Sequence, residues 1–157
     1  MRLSLAVIGF VLATPLAAQT SPATTLCPLL DASDVTPLLH GTHPPTSYAG
    51  PLGCYWSALG TNWVLLYDYV KPDPKKPASA QFDEMRRQNG SAAHDEPGLG
   101  DRAYSLDATY VVLIRGRILF FQVNTDDDRG MEDKQVVARY RDAGRPIVTK
   151  LVARIKG

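Results

Sequence analysis

The sequence predicts an α+β domain: a curved antiparallel sheet of about five strands with helices packed on it as an α/β sandwich, pinned by one disulfide. Three observations predict it. Runs rich in aromatic and β-branched residues stand in hairpin order, CYWSA with WVLLYDYV and then RAYSL, TYVVLI and RILFFQV. Apolar residues recur at helical spacing in ASAQFDEMRRQN and again near the C-terminus. Only two cysteines occur, Cys27 and Cys54.

The ends and the charge bound where the chain works. Arg2, an apolar run from Leu3 to Leu16, small Ala17 and Ala18 and then polar Gln19 form the pattern of a secretory signal peptide over 1–18, cleaved near Ala18. Gly9 and Pro15 interrupt the run, which falls short of the roughly 20 apolar residues of a spanning helix. No membrane span is expected. Loss of Arg2 from the 17 basic residues leaves them equal in number to the 16 acidic ones. A neutral chain with scattered arginines gives no reason to expect a nucleic-acid partner. In the periplasm or outside the cell, two cysteines read as a bridge. Closing a loop of roughly 28 residues contributes about 3–4 kcal/mol in the chain-entropy picture.

The elements follow in order. Residues 19–25, QTSPATT, form a flexible lead-in, and 26–157 a single domain. Asp31 or Ser33 caps a short helix whose Leu38 and Leu39 are buried. The stretch HGTHPPTSYAGPLG reads as an irregular surface loop, because prolines and glycines disfavour regular structure. Two strands follow from Cys54, with a turn at Gly60 to Asn62, and KPDPKKP makes an exposed connector. A helix over ASAQFDEMRRQN buries Ala78, Phe82 and Met85 and ends at Gly90. After a bend at EPGLGD come three strands, the last two apolar on both faces and so central in the sheet. Gly144 and Pro146 divide the C-terminal helical region, whose second part carries Ile147, Val148, Leu151, Val152 and Ile155 on one stripe.

Chemistry-bearing patterns are sparse. His40 and His43 lack the convergent partners a metal site needs, and His94 with Asp95 and Glu96 reads as another loop. Asp126, Asp127 and Asp128 are contiguous, unlike the alternating ligands of a calcium loop, and with Glu132 and Asp133 suit a helix N-terminus. No nucleophile elbow, phosphate loop or dinucleotide fingerprint occurs. The sequence therefore points to no catalytic residue, metal or cofactor. Aromatic residues are the remaining signal: Tyr55, Trp56 and Trp63, among others in the first half, suggest a groove for a ligand beside the sheet.

Cys-Pro-Leu-Leu-Asp-Ala-Ser-Asp-Val from Cys27, Gly-Cys-Tyr-Trp from Gly53 and Gly-Leu-Gly-Asp-Arg-Ala-Tyr from Gly98 carry a resemblance. The chain resembles small exported bacterial proteins of unknown function with the pattern Cys-x-Leu-Leu, Cys-x-Trp and Gly-Leu-Gly-Asp-x-Ala. Many of these are lipoproteins, and the pattern is similar to extracellular sensor domains of some receptor kinases. The resemblance implies the Cys27–Cys54 bridge and the curved sheet, and carries over no catalytic residue. This chain lacks a lipid-attachment cysteine and any kinase. The expected function is a non-enzymatic binding module for a small ligand, an envelope component or a protein partner. The alternatives are an enzyme inhibitor or immunity-type protein acting through loop 40–53, and a small hydrolase assembled by the fold.

Overall fold

A computed structural model describes residues 26–39, 45–50, 53–58, 63–68, 75–124 and 133–157. The expected signal peptide, the lead-in 19–25, His40, His43, the turn at 60–62 and the acidic run at 126–132 lie outside the described residues.

The sheet has seven strands rather than about five, all antiparallel, in the order β1-β2-β3-β7-β6-β5-β4. They are β1 (Thr46–Ala49), β2 (Gly53–Ser57), β3 (Trp63–Asp68), β4 (His94–Asp95), β5 (Arg102–Leu106), β6 (Thr109–Ile114) and β7 (Arg117–Asn124). The two strands beyond expectation are the edges. β1 lies within the stretch expected to be irregular, where Gly50 N–H donates to Gly53 C=O and sets Thr46–Ala49 against β2. β4 is two residues paired with Tyr104 and Ser105. The central strands β7 and β6 are covered on both faces, as their apolar runs require. Arg115 and Gly116 both take positive φ between them, 48° and 72°, which is the twist-matched geometry of a two-residue hairpin turn.

Three α-helices pack on this sheet: α1 (Ala32–Val35), α2 (Ala78–Asn89) and α3 (Asp133–Lys156). α1 is flanked by 3-10 turns at Cys27–Leu29 and Thr36–Leu38, and a reciprocal capping box joins Asp31 and Asp34 at its start. α3 is continuous, against the expected division at Gly144 and Pro146. Gly144 is there for approach: a Cβ on it would stand 3.1 Å from the Tyr110 ring. Pro146 lies exposed within the helix. Its missing N–H gives up one internal hydrogen bond, and docking of Tyr140, Ile147, Val148, Leu151 and Val152 on the sheet outweighs that loss.

Alternation divides each strand between two cores. Cys54, Trp56, Val64, Leu66, Tyr110, Val112, Leu119 and Phe121 turn to α3 and the N-terminal segment 26–39 in the larger one. Tyr104, Val111, Leu113 and Ile118 turn to α2, which contributes Phe82 with Ala78 and Met85 beside it. The Cys27–Cys54 disulfide forms, with Cα atoms 5.1 Å apart, and ties the N-terminal segment to β2. No described helix is long and apolar enough to cross a membrane.

Candidate functional site

α2 packs over β6 and β7, and neither it nor any other described helix extends over the β1–β3 half of that face. This half of the sheet carries an aromatic row. Tyr48 pairs with Tyr55 across β1 and β2, and Tyr55 with Leu65 on β3. The ring centroids of Tyr48 and Tyr55 are 6.3 Å apart, as are those of Tyr55 and Trp63. Tyr48 is 67 % exposed, while Tyr55 and Trp63 are half-buried. Of the three aromatic residues singled out from the sequence, the structure brings Tyr55 and Trp63 together. Trp56 is fully buried on the opposite face, because neighbours on a strand point to opposite sides.

The row runs into a groove of about 260 Å³ between the C-terminal half of α2 and the sheet. Tyr67 stacks on Phe120 there, with ring planes 11° apart and centroids 4.8 Å apart. Gln88 and Asn89 at the end of α2 line it together with Thr109 and Gln122 of the sheet and with buried Tyr104. Burial raises the hydroxyl pKa of Tyr67, with Tyr104 and Tyr55 adding to the rise. Burial also raises that of Tyr104, against the opposing effects of an Asn89 hydrogen bond and the Arg86 charge. Both hydroxyls are therefore neutral donors at physiological pH, and every side chain lining the groove is uncharged. Tyr67 was visible in the sequence as one aromatic among many. Phe120, Gln122, Gln88 and Asn89 carried no signal, since a glutamine on a strand or an asparagine at a helix end is ordinary.

A second cleft, of about 340 Å³, lies at the other end of α2 and is charged. Its charges are already spent on one another. Arg86 pairs with Asp95 at 2.8 Å, and Arg102 with Asp83 at 2.5 Å while its guanidinium lies 5.0 Å from the Phe82 ring. Buried Glu96 accepts from Ser105 Oγ at 2.8 Å and pairs with Arg145 on α3. Asp101 Oδ2 accepts the Arg115 N–H at 2.9 Å and so closes the β6–β7 turn. That partner is distant in sequence. Asp95 and Asp101 line this cleft, and His94 does not. Ser57 ends β2 exposed, and no metal-ligand cluster occurs among the described residues.

A third polar cluster fastens the N-terminal segment. Asp34, with its side chain 3 % exposed, pairs with Lys150 and, at 2.7 Å, with Arg154 on α3. Burial pushes the Asp34 pKa up. The Lys150 hydrogen bond, the Asp31 backbone N–H and the charges of Arg154 and Lys150 outweigh that and hold it below the ordinary carboxylate value. Arg154 also bonds Leu29 C=O and Asp31, so this cluster is a structural clasp.

Compared with protein-family models, curated proteins and solved structures, the chain finds no significant match.

Proposed function

We propose that the chain is an exported, non-enzymatic binding module that holds its ligand on the sheet face left uncovered beside α2. One observation carries this reading: the row Tyr48, Tyr55 and Trp63, exposed at Tyr48 and half-buried at the other two, lies beside the groove of Tyr67 and Phe120, where α2 packs mainly on β6 and β7. Exposed aromatic area grouped beside a concavity is the usual mark of a binding surface. Export is supported by the disulfide, which persists in oxidising compartments, and by the leader-like pattern at 1–18. The mature exported product has an intact mass that begins near Gln19. The resemblance to small exported bacterial proteins of unknown function is part of the same proposal, under which the ligand is met in the periplasm or outside the cell.

The test uses the neutral apolar dye N-phenyl-1-naphthylamine. In Trp56→Phe, Trp63 is the sole tryptophan and reports from the proposed face. Saturable energy transfer from Trp63 to the dye, weakened ten-fold or more by Tyr55→Ala or Tyr67→Ala, is the expected result. Absence of transfer, or transfer indifferent to both substitutions, overturns the reading.

A further inference from the structure

The chemistry of the groove narrows the class of ligand. Gln88 and Asn89 already donate their amide N–H groups to Glu84 and to Met85 C=O, so the polar groups turned to a ligand are the Gln122 carboxamide, which donates and accepts together, the Gln88 carbonyl oxygen and the hydroxyl of Thr109, beside the rings of Tyr67 and Phe120. A carboxylate or ammonium seated there would lose water and meet no opposite charge among the lining side chains. An acyl chain would strip water from Gln122 and Thr109 and return no hydrogen bond. A ligand with a rim of hydroxyls and an apolar C–H face satisfies both requirements, the hydroxyls on these polar groups and the C–H face on the rings.

Size adds a second constraint. The groove, at about 260 Å³, lies just below the roughly 300 Å³ at which sites for drug-sized molecules begin. It takes a ring-sized unit and little more. The paired row Gln122, Leu65, Tyr55 and Tyr48 continues from it across β7, β3, β2 and β1. At about 4.8 Å per strand this path is about 14 Å long. We propose that the ligand is a neutral glycan, with one sugar unit seated between Tyr67, Phe120 and Gln122 and the following units lying over Tyr55 and Trp63.

This inference rests on the binding reading above, and the experiment separates the two. The mature, oxidised protein is titrated by calorimetry with cellotetraose, maltotetraose, fully N-acetylated chitotetraose and the anionic tetragalacturonate. The expected result is that at least one neutral tetrasaccharide binds saturably and displaces N-phenyl-1-naphthylamine. Tyr67→Ala and Gln122→Ala each weaken it ten-fold or more, and tetragalacturonate gives no heat. Gln122→Ala removes a half-buried carboxamide without disturbing the stacked rings, so loss of binding in it is independent of folding. If no neutral tetrasaccharide binds while the dye still does, or if tetragalacturonate binds as well as they do, the glycan class falls and the binding face stands. If the dye fails too, both fall.

Discussion

On β2 and β3 the residues Cys54, Trp56, Val64 and Leu66 turn beneath the N-terminal segment and α3, and each is fully buried, whereas Tyr55, Trp63 and Tyr67 turn the other way and stay partly exposed around a buried Leu65. The same backbone thus has one closed face and one half-open face. The difference lies in what covers them. On the closed face α3 serves β6 and β7, and the disulfide-bound segment 26–39 serves β1 and β2. Among the described residues α2 is the helix on the open face, and its 12 residues, about 18 Å of helix, reach only part of a seven-stranded sheet. Exposed aromatic area follows from this shortage of cover, and the sequence spends rings there rather than charges.

The comparison breaks most readily at its two tryptophans. Trp56→Ala opens a cavity in the larger core and is expected to cost about 3–5 kcal/mol in urea denaturation. Trp63→Ala removes a half-buried ring and is expected to cost no more than about 1 kcal/mol while weakening dye binding, read from the dye's own fluorescence. Equal costs at both sites would mean that the two faces are equally closed.

Next in size is the disulfide. Replacing both Cys27 and Cys54 by serine is expected to cost about 2–5 kcal/mol and to loosen the segment that closes the face over β1 and β2. Amide exchange checks the location. Protection is lost first in 26–39, while β6 and β7 keep theirs.

These two faces were unequally legible in the sequence. β2, β3, β5, β6, β7 and α2 announce themselves through local composition and period, and the apolar runs of β6 and β7 correctly place both strands at the centre. β1 and β4 do not, because a short strand of Thr-Ser-Tyr-Ala or His-Asp is extended only by virtue of its partner. Gly144 beside Pro146 reads as a break when it is a point of close packing against Tyr110. Of the site, Tyr55 and Trp63 were visible as aromatic strand residues, but their shared face depends on the register that pairs Ser57 with Trp63. Alternation alone separates Trp56 from Tyr55. The groove partners Phe120 and Gln122 come from β7, which joins β3 only through tertiary pairing, and no local signal marks that.

A smaller effect belongs to the clasp on the closed face. Asp34→Asn leaves Lys150 and Arg154 facing a neutral group and is expected to cost about 1–2 kcal/mol, since both cations are partly exposed and screened. The loss depends on pH. The folded Asp34 carboxyl has a depressed pKa, so its contribution is complete above the unfolded value of about 3.9 and disappears as pH falls through the folded one. Melting temperatures of the two proteins therefore differ at pH 6 and converge toward pH 2. A gap that persists at pH 2 would show that the Asp34 charge is not its source.

The smallest effect is expected at the outermost ring of the open face. Tyr48 is the one large apolar side chain among the described residues that is mostly exposed, and its ring meets Tyr55 at 6.3 Å with the planes tilted by 46°. An aromatic pair of this kind contributes about 0.5–1.5 kcal/mol when buried, and water on the outer side of Tyr48 reduces it. Tyr48→Ser also keeps a hydroxyl on an edge strand that tolerates serine. The substitution is expected to change stability by no more than about 0.5 kcal/mol, measured in urea. Its effect on a four-unit ligand is a different matter, because Tyr48 ends the row that begins at Gln122. A shortened row should weaken tetrasaccharide binding and leave the dye's affinity for the Tyr67 groove unchanged. If Tyr48→Ser instead lowers stability as much as Asp34→Asn does, the ring supports the edge of the sheet, and the open face ends at Tyr55.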